Sequence, residues 1–180
     1  MNKKIKYISL LRGINVGGKR KILMADLKNL YTKLGFTNCT SYIQSGNVIF
    51  EYKEQPASEL ANKIEEAVKK EYGFDVPVIV ITTNELQEAI QINPYTETKG
   101  IESICLTFLN KKPEADLINK ISNLNFSPDE FQIKNQNVFI FCPGPYHKTK
   151  LSNQFFESKL EVRTTTRNWK TVLKLLELSE

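Results

Sequence analysis

The chain has 180 residues, of which 41% are hydrophobic, and carries a formal net charge of +5. That suits one or two compact domains with real cores, and the basic balance favours anionic partners over cationic ones. The three cysteines, Cys39, Cys105 and Cys142, are odd in number, widely spaced and form no C-x-x-C pair, which argues against a disulfide framework or a zinc site. Cys39 and Cys105 read as small core residues. The start, Met1 to Ile5, is basic, and the apolar run after it is short and broken by Lys6 and Arg12. It is read as neither a signal peptide nor a membrane span, and the expected compartment is the cytoplasm.

Ile5 to Leu11 reads as a buried central strand. The stretch Arg12-Gly13-Ile14-Asn15-Val16-Gly17-Gly18-Lys19-Arg20-Lys21 follows, with three glycines and three consecutive cations. Met24, Leu27, Leu30, Tyr31 and Leu34 then recur at helical spacing, and Gly35 is a natural left-handed stop. Asn38 to Ile43 and Val48 to Tyr52 read as strands joined by the turn Gln44-Ser45-Gly46-Asn47. Pro56 opens a helix with Leu60, Ile64, Ala67 and Val68 on its inner stripe; Glu59-Lys63 and Glu65-Lys69 are spaced as i,i+4 pairs, and Gly73 closes it. Val76 to Ile81 is a β-branched strand with Pro77 near its start. The order β-α-β-β-α-β predicts a ferredoxin-like split βαβ unit, one antiparallel sheet with both helices on one face.

Thr82 and Glu85 have capping-box spacing for a short helix with Leu86, Ala89 and Ile90. Residues 93–101 read as a linker. The order then repeats. Ile104, Leu106 and Phe108 alternate on a strand; Pro113 starts a helix with Leu117, Ile121 and Leu124; Phe131 and Ile133 form a strand that turns at Asn135-Gln136 and returns over Asn137 to Phe141. Leu151, Phe155 and Leu160 suggest a helix, Val162 to Thr164 a short strand, and Trp169, Val172, Leu173 and Leu176 a last helix with Thr166 as N-cap. The expected fold is α+β, two ferredoxin-like halves with antiparallel sheets plus extra helices, spanning 1–92 and 102–180 about the linker.

Two places carry chemistry. In the first half the loop with Arg12, Gly13, Asn15, Gly17, Gly18 and Lys19 lies at the sheet end where the third strand begins, so Gln44, Ser45 and Asn47 are expected beside it. Cations, amide side chains and backbone N–H groups around one point suit a phosphate or a carboxylate. The same groups also suit a tight turn that bonds to itself. The loop is neither a Walker loop nor G-x-G-x-x-G. In the second half, Lys150, Arg167 and Asn168, with the hydroxyls of Thr164 to Thr166, make another anion-friendly place near a helix N-terminus. His147, the single histidine, has no evident partner in sequence. No nucleophile motif, metal set or cofactor motif is present.

Tyr7 to Gly18 resembles the opening signature of an uncharacterised bacterial family, domain of unknown function 1697. Met24 to Leu27, Tyr42 to Phe50 and Thr165 to Val172 resemble its later blocks. The resemblance implies an α+β fold with ferredoxin-like parts and implies no activity. Three functions compete. The first is a binding module for a small anionic ligand or a nucleic acid, with Tyr7, Phe50 and Tyr52 as stacking aromatics. The second is a hydrolase of acyl-phosphate-like substrates, using Arg12 and Asn47 by fold analogy. The third is a protein-interaction module.

Overall fold

The computed structural model describes residues 4–180; Met1 to Lys3, part of the basic start, lie outside the described residues. The fold is α+β, and among the described residues it has six α-helices and two four-stranded antiparallel sheets. The chain forms two compact units, one taking the chain up to Leu86 together with Leu175–Glu180, the other Gln87–Lys174.

In the first unit, β1 (Lys4–Leu11), α1 (Met24–Lys33), β2 (Thr37–Tyr42), β3 (Asn47–Lys53), α2 (Ala57–Tyr72) and β4 (Val78–Thr82) follow in the expected order. The sheet runs β2-β3-β1-β4, the split βαβ arrangement. Alternation along β1 turns Tyr7, Ser9 and Leu11 to the helix side. Tyr7 and Leu11 join Leu27, Tyr31, Phe50, Leu60 and Ile64 in one core. Ile8 and Leu10, on the opposite face, are buried too.

This register corrects the expectation of a stacking platform. Tyr7 and Phe50 lie opposite each other, inside the core, stacked at 5.7 Å, and Phe50 stacks on Phe36 at 4.3 Å. Tyr52 is half-buried against the same cluster. Once Leu11 and Val48 point inward, a period of two carries Tyr7 and Phe50 inward as well.

Ser9 is the polar residue on that inward stripe. Its Oγ donates to the Val48 carbonyl at 3.1 Å, which leaves Tyr31 as donor in their 2.8 Å contact. Burial pushes the Tyr31 phenol above its ordinary range.

Gly35, at φ +87°, ends the first helix, and Gly73, at φ +78°, ends the second. The anticipated Glu59-Lys63 pair is not made. Lys63 donates to the Leu34 carbonyl at 2.8 Å, over the Tyr52 ring, and Glu59 accepts from Gln55. The exposed carbonyls at the end of α1 offer a charged donor more than a solvated carboxylate does. Likewise Lys69 pairs with Asp75 at 2.9 Å, and Glu65 accepts the Val78 N–H at 2.8 Å. The capping box forms as expected: Thr82 N–H meets Glu85 at 2.7 Å and Glu85 N–H meets the Thr82 hydroxyl at 3.2 Å, opening α3 (Thr83–Gln91).

The second unit repeats the plan with β5 (Ile104–Leu109), α4 (Ala115–Ser122), β6 (Glu130–Lys134), β7 (Asn137–Phe141), α5 (Asn153–Leu160) and β8 (Thr164–Asn168), in sheet order β6-β7-β5-β8. The last strand lies later than Val162 to Thr164. The threonine run is β-branched and pairs with β5 from Leu109↔Thr164 to Cys105↔Asn168. Its inward hydroxyls are satisfied within the unit: Thr166 Oγ1 lies 2.7 Å from Thr107 Oγ1 and 2.8 Å from Asn153 Oδ1. Thr166 is therefore a strand residue. The N-cap of α6 (Trp169–Ser179) is Asn168, whose Oδ1 accepts the Thr171 N–H at 2.8 Å. Trp169 is buried. Leu124 falls past the end of α4 and is exposed.

The two units also close their central strands alike. The Leu11 N–H bonds the Gly46 carbonyl at 2.8 Å, and the Leu109 N–H bonds the Gln136 carbonyl at 2.9 Å. Arg12 N–H meets Pro77 O, and Asn110 N–H meets Arg163 O, both at 3.0 Å. The following connections differ. Residues 12–23, twelve in all, link β1 to α1, whereas residues 110–114, five in all, link β5 to α4. No helix among the described residues is long and apolar enough to cross a membrane.

The buried phenol sets a pH dependence. An unfolded Tyr31 ionises near its ordinary value of 10.0, whereas the folded one holds its proton to higher pH. Its stabilising contribution is whole below pH 10.0 and is lost as pH rises above it. Urea midpoints measured across that range should fall for the wild type and fall less for Tyr31→Phe. At neutral pH the same variant should cost about 1 kcal/mol.

Candidate functional site

The long β1–α1 connection turns back on itself. Gly17 and Gly18, at φ +57° and +74°, form a tight turn of the kind that needs two left-handed residues, closed by Lys19 N–H to Val16 O at 3.0 Å. Asn15 N–H reaches Arg20 O at 3.1 Å, so the loop is a miniature hairpin that displays Lys19, Arg20 and Lys21. All three cations are exposed, and their side chains make no hydrogen bond or ion pair among the described residues. A Cβ at Gly13 would stand 3.2 Å from Arg20 Nη1, so this guanidinium lies back over Gly13.

Asn15 holds the loop in place. Its Nδ2 donates to the carbonyls of Ile22 and Gln44, each at 2.9 Å, and its Oδ1 accepts the Ile22 N–H at 2.9 Å. One side chain thereby ties the loop to the entry of α1 and to the β2–β3 turn. The turn is locked from below. Asn47 is buried and donates through Nδ2 to Tyr42 O at 3.0 Å and Ser45 Oγ at 2.9 Å. Gly46 packs so closely that a Cβ there would lie 2.7 Å from Leu11 Cβ.

Between loop and turn lies a cleft of about 310 Å³, lined by Asn15, Gly18, Lys21, Ile22, Leu23, Met24 and Gln44. The structure thus brings Gly13, Asn15, Gly17, Gly18, Lys19, Gln44, Ser45 and Asn47 to one end of the first sheet, with the half-buried Arg12 at their root. It gives them different tasks. Asn15, Ser45 and Asn47 hold the loops together, and the exposed chemistry belongs to Lys19, Arg20, Lys21 and Gln44. The hydrolase reading, which used Asn47 by fold analogy, meets a buried carboxamide that is already engaged.

Lys150, Arg167 and Asn168 are not gathered into one surface. Lys150 is exposed in the segment before α5, and Asn168 caps α6. Arg167 projects from the opposite face of β8 and is buried, with Nη1 donating to Thr165 Oγ1 at 2.9 Å and Thr166 O at 3.0 Å. Desolvation lowers its pKa to about 10. His147 is exposed in a single 3-10 turn, Tyr146–Lys148. Burial raises the thiol pKa of Cys39, Cys105 and Cys142, which makes them poor nucleophiles. No group of three His, Cys, Asp or Glu fit to hold a metal occurs among the described residues.

A larger cleft of about 1090 Å³ lies at the other end of the first sheet, lined by Lys4, Lys6, Tyr7, Gln55 and Glu85 among others. Several of its polar groups have internal tasks, whereas the buried Thr83 hydroxyl has no hydrogen-bond partner among the described residues. The Tyr7 hydroxyl bonds the Gln55 backbone at 3.0 Å, Lys6 reaches the Glu180 carbonyl at 2.8 Å, and Glu85 caps α3. Sequence reasoning missed Leu23, Met24 and Ile43 at the glycine-loop site. A bulky apolar residue beside a turn signal, as in Ile43-Gln44-Ser45-Gly46, was the available clue.

Two split βαβ units, the first carrying an extended glycine-and-cation loop, define an α+β protein of the double ferredoxin-like kind. The chain belongs to the family described as Protein of unknown function (DUF1697), whose model matches residues 5–139. The glycine loop and the β2–β3 turn fall inside that match, and the block from Thr165 to Val172 lies beyond it. The chain is also similar to a solved structure, that of the conserved bacterial protein SP0830 from Streptococcus pneumoniae. The two are 25% identical, with a TM-score of 0.79, over 99% of this chain and 100% of that one. No curated protein matches the chain.

Gly46 is the tightest point of the site. Gly46→Ala combines a left-handed φ of +88° with a 2.7 Å contact to Leu11. It should lower stability by about 2–4 kcal/mol, read as a drop in urea midpoint at unchanged m-value.

Proposed function

We propose that the chain is a binding module for an anionic group, phosphate- or carboxylate-bearing, held at the cleft between the glycine loop and the β2–β3 turn. The observation that carries this reading is the difference in length between the equivalent connections. The second unit joins strand to helix with residues 110–114, and the first uses residues 12–23. The fold does not need the additional chain, and a long ordered loop on a rigid scaffold is where binding residues concentrate. What it displays is three exposed cations and two glycines whose backbone admits close approach. Lys21 is the titratable group lining the cleft, and Gln44 and Gly18 supply amides around it. That is chemistry for holding an anion and not for moving a proton or attacking a carbon.

The hydrolase alternative loses support from the engaged Asn47 carboxamide. The nucleic-acid alternative loses support from the burial of Tyr7 and Phe50.

The test is a titration followed by amide chemical shifts, with inorganic phosphate and acetate as probes. Shifts should concentrate at Gly17, Gly18, Lys21 and Gln44, weaken at high ionic strength, and drop severalfold in affinity in Lys21→Gln. Shifts scattered over the surface, or absent from this loop at millimolar phosphate, would overturn the reading.

A further inference from the structure

The cations are only half of this surface. Val16 is 65% exposed, Leu23 72% and Ile43 48%, three of the six large hydrophobics exposed among the described residues. All three sit on the two segments that bound the cleft. Val16 adjoins Asn15, Leu23 lines the cleft, and Ile43 adjoins Gln44. Ile43 is costly twice over. It is β-branched yet held at φ +50°, a region such residues avoid, and its side chain gains little burial in return. Left-handed backbone recurs at Asn15 and Arg20 in the same site, at φ +56° and +48°.

Resting on the anion reading above, we infer that the occupant is an acidic peptide segment of a partner protein, with an apolar side chain seated in the cleft and carboxylates set against Lys19, Arg20 and Lys21. A small inorganic anion would meet the cations and leave Val16, Leu23 and Ile43 in water. A ligand that matches the whole surface carries both negative charge and an apolar group. The cleft of about 310 Å³ has the volume of a small pocket and accepts a single inserted side chain. A bilayer fits less well, because the cleft that Leu23 lines is a concavity between two loops and not one convex tip. Charge complementarity sets the partner's sign. The exposed cations 19–21 have no side-chain acceptors of their own among the described residues, so carboxylates displace only water from them.

The experiment uses the full chain and fluorescence anisotropy. The probes are a labelled peptide with glutamates flanking a central leucine pair, its counterpart with glycines in place of the leucines, inorganic phosphate, and vesicles of phosphatidylserine and phosphatidylcholine. The leucine peptide should bind about tenfold more tightly than the glycine peptide, the ratio expected for burying part of a leucine side chain. Leu23→Ser should bring the two peptides toward equal affinity. Ile43→Gly should raise Tm by relieving the backbone and also weaken the leucine peptide. Equal affinity of the two peptides for the wild type, with phosphate still shifting the loop amides, would overturn this inference and leave the anion reading standing. No response to either peptide or to phosphate would overturn both. Vesicles that hold the protein more tightly than the leucine peptide does would overturn the peptide in favour of a membrane surface.

Discussion

The site depends on one carboxamide. Asn15 donates to two carbonyls and accepts one N–H, and in doing so pins a twelve-residue connection to the start of a helix and to a neighbouring turn. Without that tie the loop would be a glycine-rich excursion whose entropy opposes any fixed arrangement of Lys19 to Lys21. With it, the cations hang from a framework that also includes the locked turn at Ser45 to Asn47. Polar residues that the sequence marks as candidates for ligand contact are thus taken up by the framework. They fix the geometry, and the exposed side chains beside them meet the solvent.

Much of the fold was legible because it rests on local signals. Glycines at Gly35 and Gly73 ended helices as their left-handed conformation demands, and Thr82 with Glu85 opened one. Periods of two and near four placed the strands and helices in order. Three readings went astray where tertiary context overrode a local rule. Thr166 looked like the cap of the last helix and lies in a strand that runs on past Thr164, because β5 offered it an edge and Thr107 with Asn153 satisfied its hydroxyl. Tyr7 and Phe50 looked available for stacking, but the register that buries Leu11 buries them too. The i,i+4 pairs on α2 gave way to longer-range bonds, because a helix end and a strand backbone made stronger demands on the same side chains. At the site, sequence located the loop and its neighbouring turn. It could not say which polar groups would be consumed in holding them, since that depends on distances of a few ångströms between segments far apart in the chain.

The internal repeat sharpens what the loop means. Both units end their central strand with the same pair of backbone bonds, at Leu11 and Arg12 in one and at Leu109 and Asn110 in the other. The shared geometry shows what the architecture requires, and the unshared residues show what it does not. By that measure the glycine loop is an addition to a complete scaffold. The hydroxyl network under β8 is the second unit's own solution to filling its interior.

The single tryptophan lends the molecule a convenient optical asymmetry. Trp169 is buried in the second unit, while the first unit's core holds Tyr7 and Tyr31 and no indole. Emission excited at the red edge of the near ultraviolet therefore watches the second unit, whereas the near-ultraviolet circular dichroism of the packed phenols, Tyr7 and Tyr31 in the first unit and Tyr95 in the second, watches both. Whether the two units melt together or apart can be read from the unlabelled protein by comparing these two signals through a single denaturant series.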